Sequence, residues 1–224
     1  MARITVLVGN YGSGKTELSL NLASALRSKG HATALVDLDI VNPYFRSAER
    51  RDWLEAQGIR VIAPVFALTT VDVPALPAEV QSVFDQTHER VVIDVGGDDT
   101  GAAALGRYAH RLIADDSKLL FVINACRPLS SDEDSVLDLL ARVEHRCRIR
   151  PHGLINNTNL GDESDLETLL SGQRMIERVS ERCGIPIVAI TAEAALGAKL
   201  PAPLQPLFYA VTRYMRPEFF DERP

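Results

Sequence analysis

The sequence predicts a single α/β domain, a mostly parallel sheet of about seven strands with helices on both faces. Three observations carry this expectation. The chain has 224 residues and 46% hydrophobic content, which suits one well-buried core and is short for two. Short apolar runs alternate from end to end with longer stretches of 3.6-residue periodicity, the sequence form of repeated βα units. The short runs are rich in β-branched residues and nearly continuous in hydrophobicity, as strands covered on both faces must be.

In chain order, the run at 4–8 is the first strand. The helix at 16–28 follows, with Leu18, Leu22, Ala25 and Leu26 on one face and a stop at Lys29-Gly30. Strands are expected at 32–36, 60–63, 91–95, 119–123, 153–155 and 187–190. Helical patterns lie between them at 48–57, 77–86, 102–114, 132–146 and 163–183. The last pattern, 203–215, sets Leu204, Leu207, Phe208, Val211, Tyr214 and Met215 at helical spacing and reads as a helix packed on the sheet. The longest loops are expected at 38–45 and 67–77. No repeat, low-complexity tract or linker divides the chain, so residues 1–224 read as one unit.

Between the first strand and the first helix stands Gly9-Asn10-Tyr11-Gly12-Ser13-Gly14-Lys15-Thr16, which satisfies the G-x-x-x-x-G-K-[ST] phosphate-loop pattern in the strand-loop-helix setting that the chemistry needs. Its glycines let successive backbone N–H groups face phosphate oxygens, and the helix N-terminus adds positive charge. Lys15 would reach the β- and γ-phosphates, and the Thr16 hydroxyl would bind Mg²⁺. Lysine is scarce here, four against 20 arginines, yet one stands at this position.

Two acidic motifs end other strands. Asp94-Val95-Gly96-Gly97 offers a carboxylate for Mg²⁺ and a glycine N–H to sense a γ-phosphate. Asp37-Leu38-Asp39 puts two carboxylates at the sheet edge where open α/β folds bind ligands. Asp37 would orient Mg²⁺ or its water, and Asp39 the water that attacks in phosphoryl transfer. Lys15, Asp39 and Asp94 are thus the candidate catalytic residues; Thr16, Asp37 and Asp94 are the candidate metal ligands.

With these motifs in this order, the chain resembles the MinD/ParA/CobQ-type (SIMIBI class) branch of P-loop NTPases, the group that also holds the nitrogenase iron protein. The resemblance rests on residues 9–16, 36–40 and 94–97 and extends along the alternating pattern to about 190. It implies ATP with Mg²⁺ and often a nucleotide-dependent homodimer. Two departures stand out. Members that hydrolyse ATP across a dimer carry a second lysine after the first loop glycine, where this chain has Asn10; Arg46, Arg50 and Arg51 are candidate substitutes. Related GTPases place Asn-Lys-x-Asp where this chain has Asn156-Asn157-Thr158-Asn159, without the guanine-reading carboxylate. An amide can pair with adenine, so Asn156 or Asn157 is expected at the base and ATP is favoured over GTP.

The remaining features bound the function. The net charge is -6, with 24 basic residues scattered among 30 acidic ones, giving no sequence-wide footprint for nucleic acid. The first apolar run is too short for a signal peptide, and no stretch approaches roughly 18 apolar residues, so a cytoplasmic protein is expected. The pattern at 203–215 carries only Arg213 and Arg216 nearby, too few for an anchor on anionic lipid, and membrane binding is not expected. Cys126, Cys147 and Cys183 read as structural thiols, and the five histidines share no ligand spacing. Asp98 and Asp99 read as caps for the next helix. Three functional classes remain: an ATPase switch acting on an unidentified protein partner, a small-molecule kinase or ATP-dependent ligase in which Arg46 or Arg127 grips a small acidic substrate, and a nucleotide-binding protein without turnover.

Overall fold

A computed structural model of the chain describes residues 2–39, 51–63, 79–97 and 99–215. The alternating pattern becomes strands β1 (Ile4–Gly9), β2 (Thr33–Leu38), β3 (Ile59–Ile62), β4 (Arg90–Val95), β5 (Ser117–Ile123), β6 (Gly153–Asn156), β7 (Ile187–Ala192) and β8 (Phe208–Ala210). The helices are α1 (Lys15–Ser28), α2 (Arg51–Ala56), α3 (Glu79–Asp85), α4 (Asp99–Gly106), α5 (Ala109–Ala114), α6 (Glu133–Cys147), α7 (Leu166–Cys183) and α8 (Ala194–Gly197). All strands pair parallel in one sheet, ordered β3-β2-β4-β1-β5-β6-β7-β8. Among the described residues the sheet has eight strands, one more than the apolar runs predict.

Because side chains alternate along a strand, neighbouring residues feed opposite faces. Ile4, Val6 and Val8 pack with residues of α3 to α7, whereas Leu7 joins Leu18, Leu22 and Leu26 of α1 and Leu54 of α2. The helix ends follow local chemistry. The Asp132 and Asp165 carboxylates accept from Ser135 N (2.9 Å) and Thr168 N (2.8 Å), capping α6 and α7.

Two expected helices differ. The pattern at 102–114 breaks into α4 and α5 at Gly106, a poor helix former on which a Cβ would stand 2.6 Å from the Arg146 carbonyl. The pattern at 203–215 is not an α-helix: a 3₁₀ turn at Ala202–Leu207 leads into β8. Pro206 removes a donor that an α-helix over these residues needs, and Phe208-Tyr209 favours an extended backbone. The apolar residues still bury themselves as their spacing requires, with Leu204, Leu207 and Phe208 against Ile190, and Val211, Tyr214 and Met215 on the α1 face. The expected loops at 38–45 and 67–77 fall mostly outside the described residues, as do Arg46, Arg50 and Asp98. Among the described residues, no helix is long and apolar enough to cross a membrane.

Candidate functional site

β1 lies in mid-sheet between β4 and β5, while the chain leaves it for β2 on the far side of β4. This reversal opens a crevice above the C-terminal ends of the strands. The loop from Gly9 to Gly14 fills it. Gly9 has φ 147°, and a Cβ there would lie 2.2 Å from the Val122 carbonyl of β5, so no side chain fits. Gly14 has φ 86°, and its missing Cβ leaves room for the Asn157 amide. The loop ends where α1 begins, so the N-terminus of that helix faces the crevice.

Lys15 is buried and its Nζ donates to the Asn10 carbonyl (2.8 Å), spanning the loop. Asn10 is buried as well; its Nδ2 donates to Ser130 Oγ (3.1 Å), and its Oδ1 accepts from Tyr11 N (2.8 Å). The residue at the expected second-lysine position is thus used to brace the loop. Ser13 is fully buried beneath it.

Asp37 and Asp94 stand side by side, since β2 and β4 pair in the register that sets these two residues opposite each other. Both are buried, and Asp37 Oδ1 accepts from Asp39 N at 2.9 Å. Burial pushes the Asp94 carboxyl up to about 6, against the Lys15 charge and the Thr16 hydroxyl, which favour its ionised form; Asp39 adds a further upward push and Ser19 a downward one. Asp39 lies against Gly96, where an added Cβ would come 3.1 Å from its Oδ1. The backbone at Gly97 touches the phosphate loop: a Cβ there would sit 2.5 Å from Tyr11 N.

The loop, Asp39 and Gly97 border a cavity of about 750 Å³. Its phosphate end is lined by Asn10, Tyr11, Gly12, Gly14, Lys15, Thr16, Asp39 and Gly97. Asn157 stands beside the loop, and the far end is formed by Asn159, Asp162, Thr191, Ala192, Glu193, Leu196, Val211, Arg213 and Met215. The two expected base contacts separate here. Asn156 is fully buried away from the cavity, donating to Gln173 Oε1 (3.0 Å) and accepting from Thr158 N (3.0 Å). Asn157 lines the cavity, but its Nδ2 donates to the Ser13 carbonyl (2.7 Å) and its Oδ1 accepts from Thr191 Oγ1 (2.6 Å). Asn159 is engaged with the Asn157 carbonyl and Gly161 N.

Sequence reasoning missed the far wall. Val211, Arg213 and Met215 reach it because their segment is pinned to α1: the Asn21 amide pairs with both backbone groups of Thr212 (2.8 Å each), and the Glu17 carboxylate accepts from Tyr214 N (2.6 Å) and Met215 N (3.0 Å). Arg213 bridges Asp162 and Glu193. Pro206 was the available signal, since it argues against a helix that would carry these residues elsewhere. Arg51 sits on α2 beside Glu55 and does not line the cavity. Cys126, Cys147 and Cys183 are free thiols, of which Cys147 is buried. No metal-binding cluster of three or more His, Cys, Asp or Glu occurs among the described residues.

A phosphate loop facing two carboxylates across the top of a parallel sheet is how P-loop NTPases are built, and the chain is of that class. More narrowly, it belongs to the CobQ/CobB/MinD/ParA nucleotide-binding domain family, whose model matches residues 4–214. A comparison with curated proteins finds no match. Among solved structures it is similar to cell division protein FtsY of Thermotoga maritima, with TM-score 0.58, 20% identity, and 84% of this chain covering 61% of that one. FtsY of Mycoplasma mycoides gives TM-score 0.56 and 18% identity, with 84% of this chain covering 59% of that one. The 54 kDa signal recognition particle protein of Aeropyrum pernix K1, in complex with GDP, gives TM-score 0.53 and 18% identity, with 84% of this chain covering 40% of that one. The chain therefore spans less than two thirds of each of these proteins, and the likeness is one of fold.

Proposed function

We propose that the chain is a Mg-ATP-binding ATPase that works as a nucleotide-dependent switch on a protein partner. The observation that carries this reading is the convergence of three segments: Gly97 rests on Tyr11, Asp39 rests on Gly96, and both border the cavity beside Lys15. A γ-phosphate arriving there would contact the loop and bias the segments that follow Asp39 and Asp94, which is how such switches convert bound phosphate into shape.

Thr16, Asp37 and Asp94 suit Mg²⁺, since every donor is a hard oxygen and Asp94 Oδ1 is buried without a hydrogen-bond partner among the described residues. Bound there, the ion would supply charge against the phosphate oxygens. Lys15 would exchange the Asn10 carbonyl for the β- and γ-phosphates. Asp39, at the cavity wall, would hold the attacking water. A cytoplasmic location goes with this reading, because the nucleotide pool is there.

Adenine is supported by Asn159, an amide where a guanine-reading carboxylate would be expected. A guanine nucleotide is the second reading, favoured by the Asp162 carboxylate at the far end of the cavity and by GDP in the A. pernix relative. Competitive titration with ATP and GTP decides between them. Lys15→Ala should abolish binding, while Asp39→Ala should keep ATP and lose turnover; undiminished hydrolysis in Asp39→Ala removes that residue from the mechanism. Gel filtration with and without ATP tests for a nucleotide-dependent homodimer, and a dimer of equal extent in both conditions counts against the switch.

A further inference from the structure

The charge balance of the cavity poses a problem. A nucleoside triphosphate brings several negative charges to a site that already holds Asp37, Asp39 and Asp94, and the loop itself offers one lysine. In place of a second one stands neutral Asn10, with its amide tied to Ser130. Besides Lys15, the basic side chains lining the described cavity are Arg127 and Arg213. Arg213 lies at the far end, bridging two carboxylates. Arg127 is at the phosphate end.

Its position is built by the sequence. β5 ends at Ile123, and the turn that follows is closed by Arg127 N donating to the Asn124 carbonyl (3.1 Å) and Ser130 N to the Arg127 carbonyl (2.8 Å). Pro128 holds the preceding residue extended, and Arg127 has φ −93° and ψ 136°. This root is joined to the phosphate loop through Ser130 and Asn10. From it the side chain crosses to the loop, where Nε donates to the Gly12 carbonyl at 3.0 Å. A Cβ on Gly12 would meet Nε, Cδ and Cζ at 3.2, 3.4 and 3.6 Å, so the guanidinium lies directly over that glycine. Lys15 Nζ approaches the same three-residue stretch at Asn10. No hydrogen bond or ion pair with a carboxylate is found for Arg127 among the described residues.

We propose that Arg127 is the second phosphate-binding cation of this site, supplied within the chain, and that it contacts the terminal phosphate of a nucleoside triphosphate. The inference rests on reading the loop as a triphosphate site. It assigns to one chain a charge that the family resemblance would take from a partner copy. Arginine suits the task because its fork can keep Nε on the Gly12 carbonyl while the two terminal nitrogens grip phosphate oxygens.

The test is calorimetric titration of the purified chain with Mg-ATP and Mg-ADP, or the guanine pair if GTP binds better. Arg127→Ala should weaken the triphosphate roughly tenfold, the scale of one partly exposed charge-assisted contact, and leave the diphosphate unchanged. Arg127→Lys should recover part of the loss. Because Arg127 is exposed, circular dichroism should show both variants folded. Equal weakening of both nucleotides, or no change in either, overturns the proposal and leaves the nucleotide site standing. A wild-type chain that binds no nucleotide, like Lys15→Ala, overturns the site reading and this inference together.

Discussion

Replacing Asn157 by alanine separates two roles that its place in the cavity permits. Its Nδ2 donates to the Ser13 carbonyl and its Oδ1 accepts from Thr191, at 2.7 and 2.6 Å, so the amide braces the phosphate loop against β6 and β7. Thr191 keeps a second acceptor, the Asn156 carbonyl at 3.1 Å, whereas the Asn157 amide is the partner that the Ser13 carbonyl loses. One orphaned buried acceptor and one weakened hydroxyl contact should cost about 2 kcal/mol of stability. Urea denaturation measures this directly. A loosened loop should weaken ATP and GTP alike, by roughly tenfold if about 1.4 kcal/mol of the loss reaches the bound state. Asn157→Asp should do no better, since it sets a carboxylate against the Ser13 carbonyl. The reasoning fails if Asn157→Ala loses ATP alone at unchanged stability, or if Asn157→Asp gains GTP; either result would make Asn157 a reader of the base.

Asp94 gives a pH dependence of defined sign. Its carboxyl titrates near 6 in the folded metal-free protein against 3.8 for an unperturbed group, so folding takes up a proton between those values. Stability is fully present below about pH 4, falls as pH rises through about 6 and is then level, a loss of roughly 3 kcal/mol at about 1.4 kcal/mol per pH unit. In EDTA, Asp94→Asn should flatten that slope and exceed wild type in stability at pH 7.5; parallel denaturation curves for the two proteins from pH 4 to 7.5 would contradict the assignment. At Gly97, alanine must displace the backbone of Tyr11, so Gly97→Ala should cost about 1–3 kcal/mol and weaken triphosphate binding. A variant that melts and titrates like wild type would show that the two segments are not coupled.

Much of this site is legible in sequence because its pieces are local. A phosphate loop is one strand end, one turn and one helix start, and residues 9–16 contain all three. Asp37 and Asp94 are legible as strand-ending carboxylates, but their adjacency is a matter of register between β2 and β4, which nothing in either motif records. Asn156 and Asn157 show the limit within a motif. They are neighbours at the end of β6, successive side chains there point apart, and only the fold decides which one meets the crevice. The far wall was hidden for a different reason. Leu204, Leu207, Phe208, Val211 and Met215 keep a helical spacing that Pro206 cancels, so the spacing records the burial and not the backbone that achieves it.

Asn10 ties these points together. A loop that reaches for a partner's nucleotide needs a long cation at its second position, free to leave the surface. Here that position is short, neutral and buried, with both ends of its amide bonded inside the chain. The loop is held by residues beyond three other strands: Gly97 after β4, Ser130 after β5 and Asn157 after β6. Changing Asn10 to lysine would therefore remove the Ser130 contact and force a charge out of a buried position before it could reach any partner. A second copy that assists catalysis would have to do so through another residue, and the positive charge that the phosphates require has a nearer source in the turn that Asn10 already grips.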